Sequence, residues 1–397
     1  MRIAIVGGGP AGSTAARHLA RRDHDVTIFD PSHPREKPCG GGFGLRAHRH
    51  LPPGVSQQLP KSVIHSAELR SAGGRSVAIE LAQPLYIASR SALDRALLDA
   101  AQQEGADLMK KRIVGFDPGP PPTLYLSSGQ SQTYDYVIGA DGARSIVGRS
   151  VRQVRAREDL TQTLGYYLRG EFSPRITVQF LGEGHGYLWA FPRPDHVSLG
   201  IGCDLGSWTS KDLWKRLDQF TMEVYGDIDL EKVKRFSALI PSFRETTLER
   251  LVAEGPTWAL CGDALGLVDP ITREGIISAI ETARGLAGAL SSGVTPRPYT
   301  HFVQTEILPE IRHATRLKSR FFCPQFTELM VEYAERSEAI RKILSDLVSG
   351  HISYHRLKQN LLMGAFPLAF DYMFRKLGRK IAGRSHRPTQ TNPSQAE

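Results

Sequence analysis

The sequence predicts an α/β protein, and three observations carry that prediction. Arg2-Ile3-Ala4-Ile5-Val6 is an apolar run of strand type that enters Gly7-Gly8-Gly9-Pro10-Ala11-Gly12, then a helical run to Arg22, then a second strand, Val26-Thr27-Ile28-Phe29. Apolar strands that end in paired Gly and Asp return at 134–142 and 258–263. Between those returns, from about residue 160, the hydrophobic period falls to two. Together they predict a discontinuous Rossmann-type domain with an inserted antiparallel-sheet domain and a helical C-terminal region. The expected boundaries are 1–60, 88–157 and 250–298 for the first domain, and 61–87 with 158–249 for the insertion. Residues 299–384 read as helical and 385–397 as a polar disordered tail.

In the opening unit, G-x-G-x-x-G has the context that gives it meaning: a strand before it, a helix after it and an acid, Asp30, at the end of the next strand. Gly7 permits the tight turn, Gly9 lets backbone approach a pyrophosphate, and Gly12 lets the helix pack closely on the strand. Pro10 and Ala11 start the helix, whose N-terminal N–H groups face the phosphates with a partial positive charge. Asp30 stands where a carboxylate can accept hydrogen bonds from a ribose. Dinucleotide binding follows.

A chain of 397 residues is too long for one small core. Its 41% hydrophobic and 23% charged residues are ordinary for a soluble protein, and its net charge of +9 favours anionic partners. Neither a zinc finger nor an aromatic-rich RNA motif is visible, so nucleic acid is not an expected partner. The first strand begins at residue 2 and no apolar run is long enough to span a membrane, so a cytoplasmic protein is expected. Cys39, Cys203, Cys261 and Cys323 show no metal-ligand spacing and read as free thiols; no metal is expected.

After Asp30, Lys37-Pro38-Cys39-Gly40-Gly41-Gly42-Phe43-Gly44 cannot be a helix interior. It reads as a loop pressed against something flat, or as a mobile surface loop. Residues 63–85 read as strands around a Gly73-Gly74 turn, and a helix starts near Arg90 with Ser89 or Ser91 as N-cap. Arg90 either meets a cofactor phosphate or pairs with an acid on its own surface. Residues 118–122 form a loop or hairpin tip. Tyr134 to Ala140 reads as a strand that runs into Asp141-Gly142, which places a carboxylate at the ligand-binding edge of the sheet. Successive strands are expected at 163–168, 175–181, 187–193 and 196–203, a helix at 208–225 and a strand at 233–243. Tyr187, Trp189 and Phe191 share one strand face, and either wall a ligand cavity or form an ordinary aromatic core. Cys261-Gly262-Asp263 restores the nucleotide-domain signature, and Gly275-Ile276 opens a long Ala-rich helix.

These landmarks resemble the flavin-dependent geranylgeranyl reductase family, within the wider p-hydroxybenzoate-hydroxylase-like flavoproteins, over roughly residues 1 to 300. Gly7-x-Gly9-x-x-Gly12, Asp141-Gly142 and Gly262-Asp263 mark the wider group. The Lys37-to-Gly42 loop and Tyr187-x-Trp189-x-Phe191-Pro192 look like the reductase family's own motifs. The resemblance implies bound FAD, lined by Gly7, Gly9, Pro10, Ala11, Gly12, Asp30, Cys39, Gly40, Arg90, Val114, Asp141, Asp263, Gly275 and Ile276. It implies saturation of double bonds in a prenyl chain, with Cys39, Tyr187 and Trp189 as catalytic candidates and Tyr187, Trp189 and Phe191 as substrate contacts. Cys39 would give a proton, or only pack on the flavin while Tyr187 or water gives it. The alternatives are a flavin-dependent monooxygenase or halogenase, and a non-catalytic flavin-bound lipid-binding protein. Since no second G-x-G-x-x-G is present, electrons would come from NAD(P)H binding transiently or from a ferredoxin-like protein. One position departs from the family pattern: Arg273 stands where Pro-x-x-Gly-x-Gly-Ile has a glycine, and either projects into solvent or reshapes the pocket. Finally, the apolar stretch 361–374 followed by Arg375, Lys376, Arg379, Lys380 and Arg384 suits docking at an anionic membrane surface, or packing on the protein's own domain.

Overall fold

In the computed structural model, which describes residues 1–151, 155–292, 298–351 and 353–357, five parallel strands form one sheet. Their order is Trp258–Leu260, Tyr136–Gly139, Arg2–Val6, Asp25–Phe29 and Asp107–Met109. Arg2–Val6 is buried in all but its first residue, as a parallel strand covered on both faces must be. The crossover helix Pro10–Ala20 packs against two helices from far along the chain, Arg90–Gln103 and Ile276–Ser292. The sheet is therefore built from separate stretches of chain. Val6 pairs with Phe29 and Gly139, and Gly139 pairs with Leu260, so four strands stop at one edge and their following turns meet there.

A second sheet of eight strands has the order Lys234–Pro241, Leu160–Arg169, His196–Asp204, Tyr187–Pro192, Arg175–Phe180, Lys61–Arg70, Ser76–Ala88 and Gly42–Phe43. All of its pairs are antiparallel except one. Arg175–Phe180 lies parallel to Lys61–Arg70, where two segments distant in sequence join, so the sheet is mixed rather than purely antiparallel. The glycine-rich loop contributes the edge strand, Gly42 and Phe43 pairing with Ile87 and Tyr86. One face of this sheet packs Leu188, Ala190, Leu199 and Ile201 on the helix Ser210–Tyr225 through Leu213, Leu217 and Phe220. Towards the other end of the sheet, Ile64, Leu69, Leu85, Ile176 and Phe180 pack with Phe321, Val331 and Leu344 of the helices Leu308–Phe321, Pro324–Ala334 and Glu338–Val348.

A small three-stranded sheet, Ile113–Asp117, Thr123–Leu126 and Ser131–Thr133, carries the 118–122 turn as a hairpin tip. The four cysteines are free thiols. Among the described residues no helix is long and apolar enough to cross a membrane, and no cluster of three or more His, Cys, Asp or Glu could hold a metal. The 361–374 stretch, its following basic residues and the 385–397 tail lie outside the described residues.

Candidate functional site

At the carboxyl edge of the parallel sheet, the three motif glycines are required by different neighbours. Gly7 has φ +104°, and a Cβ there would lie 2.4 Å from the Ala140 carbonyl oxygen. On Gly12 a Cβ would lie 1.9 Å from the Gly7 oxygen. Those two are demanded by the chain itself. Around Gly9, among the described residues, only Lys37 Nζ comes near, 3.1 Å from the Cβ position, so this glycine leaves a cradle open to the cavity. The helix that follows has Pro10 in its first turn and no acid there, which leaves its N-terminus electropositive.

Asp30 organises this turn. Its Oδ2 accepts the Gly8 N–H at 3.0 Å, and Oδ1 accepts those of Ser32 and His33 at 2.9 and 3.0 Å. Burial opposes its ionisation, but the Gly8 and Ser32 N–H groups outweigh burial and hold the carboxyl below its ordinary range. Behind the turn, buried Asp94 accepts both Nε and Nη2 of Arg90 at 2.9 Å and meets His33 Nε2 at 2.8 Å. Arg90 thus lines the cavity while its guanidinium is held bidentately by an acid one helical turn on. Burial and then the Arg90 charge pull Lys37 down to about 8.

The Cys39 loop is pinned rather than mobile. The Cys39 carbonyl accepts Arg193 Nη2 at 2.6 Å and Ser198 Oγ at 3.0 Å, while Tyr167 donates to the Lys37 carbonyl at 2.7 Å. The Arg193 side chain is fully buried, and its Nη1 donates to Glu36 at 2.6 Å. Glu36 also caps the helix Arg90–Gln103, accepting the N–H groups of Arg90 and Ser91. Ser89 occupies the N-cap position but makes no capping bond of its own, instead donating to Glu36. The loop glycines press on protein: a Cβ on Gly40 would meet the Phe191 ring at 2.6 Å, and one on Gly41 the Ala88 oxygen at 2.2 Å.

One cavity of about 1000 Å³ joins these groups. At one end it is lined by Gly7, Gly9, Pro10, Ala11, Asp30, Cys39, Gly40, Arg90, Asp141, Asp263, Gly275 and Ile276. Asp263 lies so close to the start of the helix Ile276–Ser292 that a Cβ on Gly275 would be 2.9 Å from its Oδ1. Burial pushes the carboxyls of Asp141 and Asp263 up, and Asp141 Oδ1 is buried with no hydrogen-bond partner among the described residues. The other end is an apolar limb between the mixed sheet and the C-terminal helices, with Leu69, Val178 and Phe180 facing Phe321, Leu344 and Val348. Tyr187, Trp189 and Phe191 line the cavity too. Tyr187 donates its hydroxyl to the Thr272 carbonyl at 2.5 Å, and burial makes its phenol a weaker acid than usual.

Two expected cofactor residues do not face the cavity. Gly12 lies behind the turn, and Val114 is 52% exposed, the wall beside it being Arg112 and Ile113. Arg273 does not project into solvent; it turns inward, its φ of +58° explaining why glycine is the easy residue there. Glu36, Asp94 and Arg193 carry no motif and were missed. Gly165, Gly200 and Gly202 were missed as well, although their signal was present: glycine inside a strand marks a close approach. A Cβ on Gly200 would lie 2.2 Å from the Trp189 indole, and one on Gly165 would lie 2.0 Å from the Phe236 ring. The glycines let those rings lie flat on the sheet.

The open cradle at Gly9, the acid-free helix start and the half-buried cations Lys37 and Arg90 in the same cavity wall fit a dinucleotide diphosphate. A family model for pyridine nucleotide-disulphide oxidoreductases matches residues 1–165. The chain is 30% identical over 375 residues to the menaquinone reductase of Mycolicibacterium smegmatis, covering 86% of this chain and 89% of that one. It is 29% identical over 328 residues to the chloroplastic geranylgeranyl diphosphate reductase of Nicotiana tabacum, covering 74% of this chain and 66% of that one. Among solved structures it is similar to a geranylgeranyl bacteriochlorophyll reductase-like protein from Thermoplasma acidophilum. That likeness has a TM-score of 0.73 at 20% identity, over 90% of this chain and 98% of the other, and concerns the fold.

Proposed function

This chain belongs to the geranylgeranyl reductase family of FAD-dependent oxidoreductases, and from that membership we propose that it saturates carbon–carbon double bonds in the prenyl chain of an isoprenoid lipid. One observation carries the reading beyond family: the dinucleotide turn and an apolar limb are walls of the same cavity. FAD would be held by the Gly7-to-Ala11 turn, Lys37, Asp263 and the Gly275-Ile276 helix start, and when reduced it supplies the hydride equivalent. NAD(P)H or a ferredoxin-like protein provides the electrons. The limb takes the prenyl chain, excluding water through Val178, Phe180 and Leu344.

Saturation also needs a proton at the second alkene carbon, and the chain's own residues must hold it. Cys39 is the better placed donor. Its sulfur lies in the cavity wall and accepts the Gly41 N–H at 3.2 Å, a donor that the sulfur keeps after it gives up its proton. Tyr187 is the poorer acid, since burial raises its phenol and its hydroxyl is already given to Thr272. The test is anaerobic incubation of dithionite-reduced protein with prenyl lipids, followed by mass spectrometry. Products two hydrogens heavier are expected; reduced protein that leaves every prenyl lipid unchanged defeats the proposal.

A further inference from the structure

Arg273 is placed at a cost and has no ion-pair contact among the described residues. Its backbone is in the left-handed region, at φ +58°, which a residue with a side chain enters only when something holds it there. The side chain is fixed in the cavity wall by the inserted sheet. Nη1 donates to Thr161 Oγ1 at 2.8 Å, Nη2 donates to the His185 carbonyl, and the guanidinium carbon lies 5.8 and 5.7 Å from the ring centres of Tyr187 and Phe322. No carboxylate among the described residues comes within ion-pair distance. Two nearby acids are occupied, Asp204 by Lys318 and His185, and Asp269 by the Tyr354 hydroxyl and the N–H groups of Ile271 and Thr272, while burial pushes the carboxyl of Glu274 up to about 8. Nε is buried with no partner among the described residues. Of five N–H donors, the described residues account for two.

We propose that Arg273 recognises the polar head of the substrate by donating to an uncharged carbonyl oxygen on a flat ring, as in a prenylated quinone. In doing so it sets which double bond of the chain reaches the reducing end. The inference rests on the prenyl-reductase reading above and deepens it. A buried diphosphate carries several negative charges, and one arginine offsets too few of them. Of the cavity's other cations, Arg35, Lys37, Arg112 and Arg144 follow strands of the parallel sheet, and Arg90, which starts the helix after Ser76–Ala88, is held by Asp94. A carbonyl oxygen accepts two N–H groups from a guanidinium without needing a countercharge, and a planar head suits a guanidinium already set between two aromatic rings.

The probes are a naphthoquinone carrying two isoprene units and geranylgeranyl diphosphate, each titrated into oxidised FAD holoenzyme and read by perturbation of flavin absorbance. Arg273→Gly and Arg273→Lys are compared with wild type. Wild type is expected to bind the quinone about tenfold more tightly than the diphosphate, and Arg273→Gly to lose about tenfold for the quinone alone. Arg273→Gly relieves the left-handed backbone but gives up the bonds to Thr161 and His185, so its melting temperature and FAD content are recorded first as a check on folding. If Arg273→Gly does not retain FAD, Arg273→Lys decides: weaker quinone binding supports the site, and unchanged binding overturns it. Quinone binding unaffected by Arg273→Gly, a wild-type preference for the diphosphate, or wild type binding neither probe also overturns it. Because binding is read without turnover, quinone captured through Arg273 but never hydrogenated would defeat the reductase reading and leave the head-group site standing.

Discussion

Gly9 and Gly12 sit three residues apart in one turn, yet different things close the space beside them. A side chain on Gly12 meets the backbone of Gly7, so Gly12→Val should not fold. A side chain on Gly9 meets only the flexible end of Lys37 and the cradle, so Gly9→Val should fold and purify without FAD. Flavin absorbance and circular dichroism separate the two outcomes, and full flavin occupancy in Gly9→Val would remove the phosphate-loop assignment. At Cys39, the Ala and Ser variants should keep FAD and slow single-turnover reoxidation of the reduced protein by alkene about a hundredfold, the lower range for loss of a general acid. Reoxidation at the wild-type rate would assign the proton to another group. Glu274 offers a pH test. Burial, then Asp269, push its carboxyl up from 4.5 to about 8. The unfolded chain loses that proton near 4.5 and the folded protein keeps it to about 8, so across this window the folded state binds more protons. Its contribution to stability therefore falls as pH rises from 4.5 to 8, by an amount on the order of a few kcal/mol. Glu274→Gln should flatten that part of the stability–pH profile, measured by denaturant melts at pH 5 and pH 8.

At the scale of elements, the Cys39 loop, the helix Arg90–Gln103 and the strand pair Tyr187–Pro192 and His196–Asp204 are tied by one ion pair, Glu36 with Arg193. Arg193 is fully buried, and removing it leaves the Glu36 carboxylate without its cation. Arg193→Met should cost about 3 kcal/mol or more and release the loop, seen as lower melting and proteolytic cleavage within 36–44. Replacing both partners, Glu36→Gln with Arg193→Met, should recover part of the loss, because no charge is then left unpaired. Additive losses would mean the pair does not couple the elements.

Across the whole molecule, the cavity exists because two sheets and the C-terminal helices are assembled around it. Its chemistry is divided between them: charged and glycine-rich at the parallel-sheet edge, apolar between the mixed sheet and the helices. Filling the limb should therefore separate its functions. Val178→Phe adds volume opposite Trp189, and should leave FAD content unchanged while shortening the prenyl chain the protein accepts. Equal loss for short and long chains would place the chain elsewhere.

The opening motif was readable because a phosphate-binding turn makes local demands: its glycines, the flanking strands and Asp30 lie within thirty residues and each answers to backbone geometry. The interruption of the parallel sheet was readable for a similar reason, since strand endings in Gly and Asp recur and the hydrophobic period changes between them. The parallel junction of Lys61–Arg70 with Arg175–Phe180 was not, because a strand's sequence does not say which distant strand it pairs with. Nor were Glu36, Asp94 and Arg193, ordinary charged residues whose importance comes only from being buried against partners tens of residues away or more. Arg273 shows both sides: its departure from a glycine pattern is visible in the sequence, but the direction of its side chain depends on Thr161, His185 and Phe322. Local backbone geometry is determined by neighbouring residues, and sequence alone determined it here; the partner of each buried charge was decided by long-range packing, which only the tertiary structure contains.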